Sequence, residues 1–447
     1  MKGTQPFETD GCPSVSKGCV PFISPWAWIP TLYFGQGLPY VVVMTLSVIV
    51  YKTLGISNTD IALYTSWLYL PWVIKPLWSP LVDLLGTKRG WVVALQFAVG
   101  AALALVALTL PMDAFFQVTL AVFWLMAFAS ATHDIAADGY YMLALAEHEQ
   151  AAFVGVRSAF YRAAMIAGQG GLVYLAGRLG DFTGDVALAW SLVFGILAGL
   201  FFALFAWHRL VLPRPPSDLP APVATGLAAG FAQTFGSFFR KPGIGVVLAF
   251  LLLFRAGESQ ALKLIAPFLL DGSAKGGLGL GTAQVGLVYG TIGVMALTVG
   301  GIAGGYAISR HGLKRWLWPM ILAVHVPNLA FVYLAWSMPS DVAVIAAAIA
   351  VEQFGYGFGF AAYLLYMILV ADGPHKTAHY AICTGFMALG MMLPGMASGW
   401  IQSQLGYPSF FIWVCLCTLP SMLVAPLLRI PPAFGRKARE GEAFDAK

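Results

Sequence analysis

Hydrophobic residues in this chain follow neither the alternation of a half-buried strand nor the single stripe of a surface helix. They gather in blocks of roughly 20 to 30 residues, apolar on every side and bounded by turns rich in Gly, Pro or charge. A helix crossing hydrocarbon needs about 20 such residues. Twelve blocks are of this kind, at residues 26–51, 60–85, 91–111, 115–146, 150–179, 187–211, 243–270, 283–309, 314–337, 341–371, 376–404 and 408–429. The pattern predicts an all-α membrane protein with 12 transmembrane helices, kinked where Gly and Pro interrupt them. The longest polar connection, 212–242, opens with Pro213, Pro215, Pro216 and Pro220, which resist helix continuation. It divides the spans six and six. The expected organisation is an N-terminal tail (1–25), a six-helix bundle (26–211), a linker (212–242), a second six-helix bundle (243–430) and a C-terminal tail (431–447). Residues 223–239 of the linker are expected to form a helix on the membrane surface beside Arg240 and Lys241.

Composition agrees: 59% of the 447 residues are hydrophobic and 10% charged, against about a quarter charged in soluble domains. A soluble enzyme is excluded. So are a disordered chain, by 31 Phe, 17 Tyr and 14 Trp, and a nucleic-acid binder, by a net charge of only +5. The five cysteines have no metal or disulfide spacing, and residues 1–25 hold four prolines and no apolar signal-peptide core. Seventeen Lys and Arg fall on the side of the termini and only Lys52, Arg178 and Lys275 on the other. That bias predicts cytoplasmic termini, with Asp60, Asp113, Asp181, Asp185, Asp271 and Asp341 on the opposite face.

The end of span two, SPLVDLLGTKR (79–89), aligns without a gap on the end of span eight, GYAISRHGLKR (305–315). Gly86 matches Gly312, Lys88 matches Lys314 and Arg89 matches Arg315, each 226 residues apart. The two halves therefore read as an internal repeat. This loop resembles the signature of the major facilitator superfamily. The resemblance implies a conformational latch in which the acid and basic residues tie neighbouring helices; Asp83 keeps the acid and Ser309 lacks it, so only the first latch is complete. Two bundles related by an axis along the membrane normal imply a central cavity that opens to either side by rocking.

An ionisable group at bilayer depth costs at least ~2.5 kcal/mol on insertion scales, so each must face a partner, water or a solute. The spans retain Lys75, Asp134, Asp138, Arg157, Arg162, Arg255, Glu258, Lys263 and Glu352, with His133. Asp134 and Asp138 lie four apart on one helical face, which makes them candidate proton carriers or a structural pair neutralised by Arg157 or Arg162. Arg162, near Tyr161 and Gln169, is a candidate for a bidentate contact to a substrate carboxylate, whereas Arg157 is expected to snorkel. Arg255 and Glu258, three apart, can pair within their helix; Lys263 is a second candidate for an anionic substrate. Glu352 and Gln353 with Tyr356 sit on the stretch FGYGFGF (354–360), whose small residues are expected to leave room for water or ligand. Lys75 between Pro71 and Pro76, and Gln36 among Gly35, Gly37, Pro39 and Tyr40, mark expected helix breaks lining a cavity. Tyr33, Tyr40, Trp67, Tyr363 and Tyr366 are candidates for stacking on a sugar ring. His133 is expected to be a hydrogen-bonded packing residue.

No phosphate-cradling GxxxxGK[ST] loop occurs, so an ion gradient, in practice protons, is the expected energy source, and no cofactor or metal is expected. GLP (37–39), IKPLWSPLVD (74–83), SATHDIAADGY (130–140), AFYR (159–162), FRAGE (254–258) and VEQFGYGFG (351–359) resemble the AmpG-type muropeptide permeases. The resemblance implies proton-driven import of anhydro-muropeptides, amino-sugar peptides from cell-wall turnover, by a monomer in the bacterial inner membrane. It would make Asp134 and Asp138 coupling or binding acids and place Lys75, Arg162, Arg255, Glu258 and Glu352 along the path; His379 departs from the family, which often has Gln there. A carrier of another amphiphilic anion such as acetyl-CoA is the first alternative. A membrane-embedded enzyme or sensor is a second, disfavoured because no HExxH, GxSxG or Cys/His set is present.

Overall fold

The computed structural model describes residues 23–145, 147–220, 227–373 and 376–436, and helices without any strand make up the regular structure among them. Helix follows all twelve expected stretches. Among the described residues nine helical runs are long and apolar enough to cross a membrane on length and composition; one of these, Ala378–Leu427, is 50 residues long. It turns at Gly406, whose φ of +71° only glycine adopts cheaply, and so forms two spans. Two further stretches fall short for physical reasons. Residues 58–84 are interrupted at Leu68–Tyr69, and residues 147–183 carry Glu149, Arg157, Arg162, Arg178 and Asp181. Leu108, Leu125, Ile302, Trp336 and Leu423 point outward, which water would penalise and acyl chains do not.

The breaks differ in place from those expected. In span two the chain stays helical through Lys75 and Pro76 and breaks seven and six residues before the lysine, ahead of Pro71, which opens the second helical piece Leu70–Leu84. Proline is tolerated at a helix start, where its missing N–H has no partner to lose. Span one continues past Pro39 and widens into a π-helical turn at Val42–Leu46. Spans five and eight contain similar turns, Ala167–Leu172 and Gly286–Gly293. Span seven breaks at Phe254–Arg255, between Ile244–Leu253 and Ala256–Leu270.

The linker and the described chain ends share one side of the membrane, here termed the linker face. On the opposite, far face the first six spans close against the last six. Lys52 lies 2.7 Å from Asp271, whose carboxylate also accepts from the Tyr407 hydroxyl at 2.6 Å. Asn58 accepts from Lys52 at 2.7 Å and donates to Tyr407 at 2.9 Å and Gln402 at 3.0 Å. Beside this polar gate the π-helical turns of spans five and eight cross so closely that a Cβ on Gly290 would stand 1.9 Å from the Gln169 carbonyl oxygen. A side chain there is excluded.

In the linker, helix Leu227–Phe239 lies against span eleven; residues 221–226 are outside the described residues. Ser237 hydrogen-bonds His379 at 2.9 Å, and Phe238 packs on the same imidazole. His379 therefore belongs to the linker contact. Cys12 and Cys19, in the N-terminal tail, lie outside the described residues.

A charged cavity between the two halves

A cavity of about 780 Å³ opens between the halves, running from Tyr40 and Tyr69 at mid-depth to Lys88, Met142 and Tyr380 near the linker face. That is within the usual size range of ligand sites. Its wall in the first half is built by span four. Asp134 accepts from the Gln36 amide of span one and the Lys75 ammonium of span two. One turn on, Asp138 pairs with Arg157 at 2.9 Å and accepts from the Tyr33 hydroxyl at 3.3 Å. The Arg157 guanidinium lies 4.5 Å over the Tyr33 ring and 5.0 Å over Tyr141. This corrects the expectation that Arg157 merely snorkels: it neutralises Asp138, while Lys75, and not Arg162, neutralises Asp134. Tyr40 and Trp72 meet edge to face at 5.4 Å and add an aromatic surface, with Tyr161 also lining the space.

Behind this wall a buried network fixes span four. The Gln96 amide oxygen accepts from His208 Nδ1 at 2.8 Å and its amide nitrogen donates to His133 Nε2 at 3.2 Å, and His208 Nε2 accepts from the Thr31 hydroxyl at 2.9 Å. His133 is thus a hydrogen-bonded packing residue next to Asp134. Neither Gln96, in a mostly apolar span, nor His208, near a span end, carries a sequence signal for this role.

The second half contributes Arg255, freed from the helix by the break beside it. It donates to Glu258 at 2.7 Å and to the Tyr356 hydroxyl at 2.7 Å, over the Phe360 ring at 4.9 Å. Among the described residues three intramembrane ion pairs therefore form, and Arg162, Lys263 and Glu352 have no ion-pair partner within 4.0 Å. Arg162 does not line the cavity; it points at Gly301 of span eight, whose Cβ would stand 3.5 Å from the guanidinium. Gln169 belongs to the span five and eight crossing. Lys263 lies below the cavity floor, donating to Thr65 at 2.8 Å. Glu352 accepts from Gln353 at 2.9 Å, both buried and outside the cavity lining. The glycines near it leave no room for ligand: Cβ atoms on Gly355, Gly357 and Gly359 would fall 2.2, 2.0 and 2.2 Å from the carbonyl oxygens of Ala323, Leu297 and Met320. They let spans eight, nine and ten pack backbone to backbone. Of the candidate stacking aromatics only Tyr40 reaches the cavity; Tyr33 supports Arg157, Tyr363 and Tyr366 are core, and Trp67 is exposed.

Both repeated loops make backbone contacts besides the side-chain latch expected of them. Asp218, after span six, accepts from the backbone N–H groups of Lys88 at 2.7 Å and Arg89 at 3.0 Å, where its charge also suits the start of helix Lys88–Thr109. Arg89 donates to the carbonyls of Leu212 and Arg209. Gly86 stays near Trp91, and the Asp83 side chain is outside the described residues. In the second copy Gly312 has φ +84° and the Leu313 N–H donates to the Phe434 carbonyl at 2.9 Å; Lys314 and Arg315 are exposed. Each loop is thus clasped by the segment that follows the last span of its own half.

Twelve helical stretches, a repeated loop and a charged cavity between the halves define a membrane transporter, not an enzyme. A model of the Major Facilitator Superfamily matches residues 31–371, and the chain belongs to that superfamily. An uncharacterised Haemophilus influenzae protein is 28% identical over 417 residues, covering 88% of this chain and 93% of its own. The anhydromuropeptide permease of Escherichia coli K12 is 25% identical over 411 residues, covering 89% of this chain and 78% of its own. A solved structure of a variant of the nucleoside transporter NupG shares the fold, with TM-score 0.67 at 16% identity over 90% of this chain and 99% of that one.

Proposed function

We propose that the chain is a proton-coupled symporter that imports anhydro-muropeptides across the bacterial inner membrane by alternating access, as a monomer with both tails and the linker in the cytoplasm. The observation that carries the reading is the cavity wall itself. Two carboxylates (Asp134 and Asp138), three cations (Lys75, Lys88 and Arg255), the Gln36 amide and a set of tyrosine and tryptophan rings face one space large enough for a sugar-peptide. Aromatic faces suit sugar rings, and mobile ion pairs suit a peptide bearing both ammonium and carboxylate groups. The similarity to a permease with that named substrate points the same way.

Of the four acids Asp134, Asp138, Glu258 and Glu352, Asp138 is the proposed proton carrier. A carrier must exchange protons with water, and its side chain is 40% exposed to the cavity while Glu258 is nearly dry at 4%. Arg157 compensates its charge when the proton leaves. The decisive experiment is uptake of labelled disaccharide-peptide into proteoliposomes with and without an imposed pH gradient, acidic outside. Accumulation that needs the gradient supports the reading; uptake of a different solute with no muropeptide uptake rejects it. Asp138→Asn is expected to abolish gradient-driven accumulation and leave counterflow exchange measurable.

A further inference from the structure

Lys263 is 3% exposed and has no carboxylate within ion-pair distance among the described residues. At bilayer depth an ammonium is costly, and the common relief is an acid on a neighbouring helix. Here its surroundings are hydroxyls and a ring instead. Its Nζ reaches the Thr65 hydroxyl at 2.8 Å, across from the second half to the first, and lies 5.3 Å from the Tyr69 ring centroid. The adjacent Ser66 hydroxyl is fully buried and bonded to nothing. Gly395 of span eleven packs closely against both groups: a Cβ there would stand 2.9 Å from Ser66 Oγ and 3.7 Å from Lys263 Cγ. Thr65 gives its own proton to the Ile61 carbonyl at 2.7 Å, so the ammonium and the unbonded Ser66 hydroxyl, with no counter-charge among the described residues, are the donors an anion would meet here.

Position in the fold says when the anion arrives. Tyr69 lines the present cavity, and Thr65 is one helical turn further toward the far face. Lys263 therefore sits just beneath the floor of the linker-side cavity, inside the contact that shuts the far side. Parting spans two and seven would break the Lys263–Thr65 bond and turn both groups toward the opposite entrance.

We propose that Lys263, Thr65 and Ser66 form the carboxylate-binding subsite of the far-side-open state, the first charge a solute meets on entry. The proposal rests on the alternating-access reading above and adds that the recognised group is an anion held away from the cavity visible here. Two experiments separate its failure from failure of that reading. In transport, Lys263→Met is expected to raise KM at least tenfold for a disaccharide-peptide with free carboxylates and less than twofold for its amidated analogue, with Lys263→Arg restoring most of the loss; equal losses for both analogues overturn it. The second needs no substrate. With the five native cysteines replaced by Ala and Thr65→Cys as reporter, a sulfonate-bearing thiosulfonate added at the far face is expected to react at least tenfold faster than a trimethylammonium-bearing one, and Lys263→Met to bring the ratio near one. A ratio indifferent to Lys263, or no labelling by either reagent, overturns the subsite even if muropeptide uptake is confirmed.

Discussion

Among the described residues, the two ion pairs at the centre of the first half join different helices and are partly exposed, whereas the pair of the second half lies within one span and is almost fully buried. Lys75–Asp134 and Arg157–Asp138 have side chains 25–40% exposed, with Lys75 and both acids lining the cavity, while Arg255 and Glu258 are 7% and 4% exposed. The same chemistry serves two ends. A pair that spans helices and touches water can open, take a solute or proton and close again at little cost. A dehydrated pair beside a helix break fixes the position of the break, here with Tyr356 as third member.

Substitutions can break this comparison in descending order of effect. Removing one partner of a dehydrated pair leaves a bare charge, so Arg255→Met should cost about 3–5 kcal/mol, measured by thermal unfolding in detergent, with Arg255→Met/Glu258→Gln recovering most of it. If the single and double variants unfold alike, the pair is not dry in solution. Overpacking comes next: Gly290→Ala places a methyl on the Gln169 carbonyl and should cost ~1–3 kcal/mol, and distances between spin labels across the far face should lengthen. In the wet pair, Arg157→Met should cost no more than ~1 kcal/mol of stability yet lower transport strongly, a separation that Arg255→Met should not show. Smallest of all, Glu352→Gln keeps shape and its neighbour Gln353, so accumulation should stay within about twofold of the unsubstituted chain. Loss of gradient-driven accumulation here would move the proton from Asp138 to Glu352.

Much of this was legible in the residues because lipid leaves few solutions. The spans follow from long apolar blocks, and the rarity of charge at depth put Asp134, Asp138 and Arg255 among the candidates together with Arg162, Lys263 and Glu352, which lie outside the cavity lining. The partners were less legible. Arg157 lies a turn and a half from Arg162 on the same span, and only the tilt of span five against span four decides which meets Asp138. The break before Arg255 has no proline to announce it. The glycines of 354–360 signal close backbone approach, but whether helix or ligand makes that approach is a tertiary fact. Asp218 looked like an ordinary loop acid, since its partners are backbone N–H groups 129 and 130 residues away.

Those clasps have a practical corollary. Since Phe434 is tied to Leu313 and the Gly435 backbone abuts Ile308 and Leu365, a reporter fused or a truncation made before Arg436 would prise loose the start of span nine while sparing span three. A tag appended beyond that residue would leave both anchored, and comparing the two designs would reveal whether the halves need their straps to swing as solid pieces.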